Sequence, residues 1–209
     1  MILIQPVLEI YVPDDFALWP VAALAPFSLL ALGGGLSPEE VGSVMASLGH
    51  INRDTSDDAE PVGDPLDLFL GALLDPEDVT GSGGLRIEDT VTGTVLRPGC
   101  CCDLNDWREW LELGADGIWL GHDPWPVAER LGDTVRLVPD QGNPGPVIEL
   151  PAAELGRLLR GVQRDLAGLL RLVDGWAGAV APGRAPALLR TIDTALKITP
   201  AVAPDHAAG

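Results

Sequence analysis

From residue 152 to residue 180 the apolar positions recur at the spacing of one helix face. Leu155, Leu158, Leu159, Val162, Leu166, Leu169, Leu170, Val173, Trp176 and Val180 fall within about 120° of one another when each residue advances ~100°. This stripe predicts one long amphipathic helix that continues through Gly161 and Gly168, with the leucine side buried. Arg157, Arg160, Arg164 and Arg171 project within about 60° of one another on the opposite side, where a solvated face is expected and Arg160 should be exposed. Pro182-Gly183 ends that helix, and residues 186–197 predict a shorter last one.

Elsewhere the pattern changes period. Residues 2–12 are rich in aliphatic and β-branched side chains and predict a first strand, and residues 27–32 predict another before Gly33-Gly34-Gly35 turns the chain. Ser37, Pro38 and Glu40 stand in the order of a capping box with proline in the first turn, so a helix should run to about Leu48. Asp64-Pro65 starts a second helix in the same way, reaching Leu74 before Asp75-Pro76. Residues 85–96 read as a hairpin around Thr92-Gly93. Asp103 then caps a helix bearing Leu104, Trp107, Trp110 and Leu111. Short strands are expected at 117–120, 127–131, 134–138 and 147–150. Tight turns between them favour an antiparallel sheet.

The 209 residues are enough for a real core, and residues 1–198 read as a single α+β domain, an acidic part at 1–98 and a more neutral part at 99–198, followed by a flexible tail at 199–209. The fold class is thus α+β, a mostly antiparallel sheet packed by helices, with a long amphipathic helix near the C-terminus. Residues 16–32 form a long apolar run with Ser28 as its one polar side chain. Pro20 and Pro26 break it and Asp14 and Asp15 precede it, so it reads as buried core rather than a membrane span or signal peptide.

Charge adds a different kind of information. Thirty-one acids against thirteen bases leave −18, which repels a phosphate backbone and excludes general nucleic-acid binding. The acidity peaks between residues 54 and 78, where Asp54, Asp57, Asp58, Glu60, Asp64, Asp67, Asp75, Glu77 and Asp78 occur with no base. Such a field suits a basic protein partner, and Asp54, Asp57, Asp58, Glu60 and Asp64 are the candidate partner-binding residues.

Candidate chemistry is sparse. The three cysteines are adjacent, Cys100, Cys101 and Cys102, so they cannot frame a disulfide scaffold, and a reducing cytoplasm is expected. Placed before a helix N-terminus, Cys101 with His122 and Asp123 would make a nucleophile, base and orienting acid. The simpler expectation is that the cysteines are small buried hydrophobes in a strand-to-helix turn, since Asp103 and Asp106 oppose thiolate formation. No metal is expected, because consecutive side chains in an extended segment diverge, although two of the cysteines could ligate together with His122. Around His122 the segment 120–126 reads as a tight turn whose Trp125 covers the edge of the core. His50 and His206 look incidental. The glycine runs at 33–35 and 81–84 lack the spacing of a phosphate loop, so no nucleotide or other cofactor is expected.

Gly99-Cys-Cys-Cys-Asp-Leu-Asn-Asp-Trp-Arg-Glu-Trp-Leu, then Gly117-Ile-Trp-Leu-Gly-His-Asp-Pro and a strand at 134–138 before the long helix, resembles uncharacterised bacterial proteins. The order of short strands and a closing helix over residues 99–172 is similar to the SUKH superfamily of toxin-immunity and interaction proteins. That resemblance implies an α+β fold and partner binding rather than catalysis. The expectation is a non-enzymatic acidic binding module, an immunity or regulatory protein. The alternative is a small cysteine-dependent enzyme using the Cys100, Cys101 and Cys102 cluster with His122.

Overall fold

A computed structural model describes residues 1–53, 63–74, 79–143 and 145–202. The fold is α+β, and its residues fall into two compact units: Met1–Val7 with Ser82–Asp165 and the chain from Pro200, and Leu8–Gly81 with Leu166–Thr199. Strand β1 (Ile2–Ile10) and helix α3 (Ala152–Val180) run from one unit into the other.

In the first unit, the start of β1 belongs with β3 (Gly83–Asp89) and β4 (Thr94–Leu96), which form the expected hairpin, with Gly93 at φ +73° in its turn. A second sheet is an antiparallel meander, β5 (Ile118–Trp119), β6 (Val127–Leu131), β7 (Thr134–Val138) and β8 (Ile148–Pro151), in sequence order. Its register explains the two-residue alternation. Ala128 opposes Leu137 and Leu137 opposes Ile148, all buried, while the neighbouring Glu129, Arg136 and Glu149 line up on the other face, where Arg136 lies 3.7 Å from Glu129.

Between the sheets in sequence, Leu104–Glu112 is a 3₁₀ helix rather than an α-helix. Asp103 caps it by accepting from Asn105 N at 2.9 Å. The change of helix type alters which leucine is buried. At three residues per turn, Leu104, Trp107, Trp110 and Leu113 share a face; Leu113 is 5% exposed, whereas Leu111, assigned to the core by an α-helical spacing, is 41% exposed. Pro200 and Val202, placed by the sequence in the frayed tail, are held by Gln163, which donates to Pro200 O at 3.0 Å and accepts from Val202 N at 2.8 Å. Residues 203–209 lie outside the described residues.

The second unit contains the end of β1, β2 (Ser28–Ala31), α1 (Pro38–Ile51), α2 (Pro65–Gly71), the second half of α3 and α4 (Ala185–Ala195). The capping box at α1 forms as the sequence dictates: Glu40 N donates to Ser37 Oγ at 3.2 Å and Ser37 N to Glu40 Oε2 at 2.7 Å. The apolar run at 16–32, expected as buried core, is buried only at Trp19 and Leu32; Ala17, Pro20, Ala23, Ala25, Pro26 and Phe27 are exposed, Phe27 at 63%, and an aromatic cluster anchors the run at Trp19. Trp19 meets Phe16, Phe69 and Trp176 edge-on at 4.8, 5.4 and 5.0 Å between ring centroids, and its Nε1 donates to Gly42 O at 2.8 Å. No helix among the described residues is long and apolar enough to cross a membrane.

Helix α3 is unbroken over 29 residues. Leu155, Leu159, Val162, Leu166, Leu169, Val173 and Trp176 are buried, and Arg157, Arg164 and Arg171 are exposed as expected. Arg160 differs: it is half-buried rather than exposed.

Candidate functional site

The three cysteines do not behave as one group. Cys102 is buried and Cys100 and Cys101 are exposed, so the expectation of small buried hydrophobes holds for the last of them alone. The reason is a reversal of the backbone. Cys101 has φ +66°, a left-handed turn that an extended run of three cannot contain, and it brings Cys101 Sγ to 3.2 Å from Cys100 Sγ instead of letting the two side chains diverge. Cys102 then continues toward β3, where its carbonyl accepts from Gly83 N at 2.9 Å and its sulfur lies 3.2 Å from where a Cβ on Gly84 would sit. Burial first, and then the carboxylates of Asp106 and Asp103, push the Cys102 thiol up to about 12, so it is protonated at neutral pH.

The turn carrying Cys100 is fastened to the segment carrying His122. Gly99 N donates to Leu120 O at 2.8 Å, and Cys100 and His122 exchange both backbone hydrogen bonds as an isolated antiparallel bridge, His122 N to Cys100 O at 3.1 Å. The segments approach so closely that side chains are excluded from both sides. A Cβ on Gly99 would lie 2.5 Å from His122 N, and one on Gly121, at φ +92°, would lie 2.6 Å from Cys100 O.

With that bridge in place, the ligand atoms of Cys100, Cys101 and His122 all lie within 4.8 Å of one another on the surface. Asp123, at φ +53°, places Oδ2 3.1 Å from His122 Nδ1. A carboxylate accepts only, so Nδ1 is the donor in this contact, and in the neutral ring that tautomer leaves the Nε2 lone pair free.

None of the three comparisons made, with family models, curated proteins and solved structures, gave a match for this chain.

The sequence-predicted trio Cys101, His122 and Asp123 is therefore assembled by the fold, with Cys100 added to it. A nucleophile also needs a place for substrate beside it. The neighbouring groove does not supply one: it is lined by Cys102, Gly84, Leu85, Trp107, Trp110, Ile118, Trp119 and Leu120, with Asp103, Asp106 and Glu109, and by none of Cys100, Cys101 or His122. Trp119 in that lining is 60% exposed, and Trp125 beyond the bridge is 56% exposed, so Trp125 does not cover the core edge. It is carried by a loop pinned to Asp140, whose Oδ1 accepts from Trp125 N at 3.3 Å.

Of the acidic residues, Asp54, Asp57, Asp58 and Glu60 lie outside the described residues. Asp64 serves as the cap of α2, its Oδ1 accepting from Leu66 N and Asp67 N at 3.0 and 3.2 Å, and Asp67 lies 2.7 Å from Arg184 Nε. The sequence reading missed the groove. Its signal was present in Trp119, a large apolar residue in a short strand next to residues of alternating burial, but the acids around it come from a different segment, 103–109, and periodicity does not report that meeting.

Proposed function

We propose that the chain is a non-enzymatic, acidic protein-binding module that engages a basic partner, in the manner of an immunity or regulatory factor. The observation that carries this reading is Trp119, 60% exposed at a shallow, water-sized cleft whose lining also includes Asp103, Asp106 and Glu109. An exposed indole bordered by carboxylates suits an arginine- or lysine-bearing segment: the ring takes the aliphatic stem or the cation, and the acids supply complementary charge. The formal charge of −18 adds long-range attraction for the same class of partner. The similarity of the 99–172 segment to SUKH interaction proteins supports a binding role, and localisation in the cytoplasm follows from the reading of the cysteines as reduced.

The test is binding of a fluorescent arginine-rich peptide, compared with a glutamate-rich peptide of equal length. Trp119→Ala should weaken the basic peptide by roughly tenfold or more. Asp106→Asn with Glu109→Gln should slow association at low salt and lose that effect above ~0.15 M, where screening reaches ~8 Å. Neutralising Asp57, Asp58 and Glu60 should likewise slow association. Equal affinity for the two peptides, or a Trp119→Ala variant that binds like the parent, would refute the proposal.

A further inference from the structure

We infer that Cys100, Cys101 and His122 form a surface zinc site of two thiolates and one imidazole, with a fourth position open to solvent. Three independent features of the fold converge on it. The first is proximity across sequence: residues twenty-odd positions apart are joined by the Cys100 to His122 backbone bridge, and their ligand atoms lie within 4.8 Å of one another. In a tetrahedral zinc site with Zn–S of ~2.3 Å, paired sulfurs stand about 3.8 Å apart. The 3.2 Å between the two Sγ atoms needs to widen by about half an ångström, a small rotation for exposed side chains.

The second feature is the left-handed backbone at Cys101. Adjacent residues in a strand point to opposite sides, so two neighbouring cysteines act as one chelate only if the chain reverses between them. The φ of +66° does that, at a residue type for which the conformation is unfavourable. The third feature is Asp123. By accepting from His122 Nδ1 it fixes the tautomer that offers Nε2, the same arrangement in which metal-bound histidines are commonly held by a carboxylate. Gly99 and Gly121 complete the scaffold, since any side chain at either position would push the two segments apart.

Two soft thiolates and a borderline imidazole select a zinc-like ion over magnesium or calcium, which require oxygen ligands. The thiolates' two negative charges balance the dication. Cys102, buried toward β3, takes no part. This site is separate in residues and in chemistry from the Trp119 groove, and either proposal can fail without the other.

The experiment is a titration of the reduced, metal-free full chain with Zn²⁺ against a chromophoric chelator, with Co²⁺ as a second probe that reports thiolate ligation through its charge-transfer absorption. The expected result is one ion per chain, a thiolate-to-Co²⁺ band, and at least a tenfold loss of affinity in each of Cys100→Ser, Cys101→Ser and His122→Ala. Cys102→Ala should bind like the parent, and Asp123→Asn should weaken binding by about 10- to 100-fold without changing the Co²⁺ spectrum's tetrahedral form. Thermal melts of each metal-free variant control for folding; the ligand residues are exposed, so these should match the parent. No Co²⁺ band, or full affinity retained in His122→Ala, would overturn the site, the latter by showing that any pair of thiols suffices.

Discussion

Gly168 of α3 lies directly against Gly34. A Cβ built on Gly168 would stand 2.6 Å from Gly34 N and 2.9 Å from its Cα, a contact with backbone that cannot move aside. The triple glycine at 33–35, which the sequence marks as a turn, is therefore also the surface over which the helix passes. Gly168→Ala should destabilise the protein by about 1–3 kcal/mol through overpacking, although alanine is the better helix former. Gly175→Ala, in the same helix with nothing within 4 Å of the new methyl, should instead stabilise by ~0.5–1 kcal/mol. Urea denaturation of the two variants reads the opposite signs.

The 3₁₀ helix makes a second pair of opposed expectations. Leu113→Ala removes a buried side chain and should cost roughly 2–5 kcal/mol, whereas Leu111→Ala, on the exposed side, should stay within about 0.5 kcal/mol of the parent. An α-helical phase through Leu111 would reverse the order, so equilibrium unfolding of both variants decides the helix type in solution.

The cysteines should separate by reactivity. Near pH 8 a thiol reagent should label Cys100 and Cys101 in the native protein and leave Cys102 unlabelled until denaturant is added, as followed by peptide mass spectrometry. The raised Cys102 value also links to stability. Folded Cys102 keeps its proton up to about 12, while the unfolded thiol loses it near the ordinary value of 9.0, so this contribution is full below pH 9 and declines as pH rises through that interval. Cys102→Ala should flatten the alkaline limb of a plot of Tm against pH.

Asp165 in α3 offers a test at the acidic end. Burial raises its carboxyl above the ordinary 3.8, against the opposing pull of Arg164. The folded state therefore favours the protonated form, and ionisation above pH 3.8 destabilises the protein. Asp165→Asn should raise Tm at neutral pH, with the gain shrinking to nothing as pH falls below that value. A gain that grows on acidification would contradict this environment for the side chain.

What the sequence determined by itself is the part that depends on neighbours along the chain. The stripe in α3, the capping box at Ser37 and Glu40, the Asp64 cap and the meander of short strands are set by local periodicity and by side chains that satisfy nearby backbone groups, and each formed where the residues required. Residues 103–113 show the limit of that reasoning. Three and 3.6 residues per turn bury the same Leu104, Trp107 and Trp110 and differ only at Leu111 and Leu113, a choice made by packing rather than pattern. The candidate sites were decided by tertiary structure. Three adjacent cysteines give no signal that one turns into the core while two turn out, because that depends on a single left-handed residue. Nor does any periodicity relate Cys100 to His122 or Trp119 to Asp106. The first meeting follows from Gly99 and Gly121, whose missing side chains let two segments touch at backbone distance, and the contact has no counterpart in the spacing of residues along the chain.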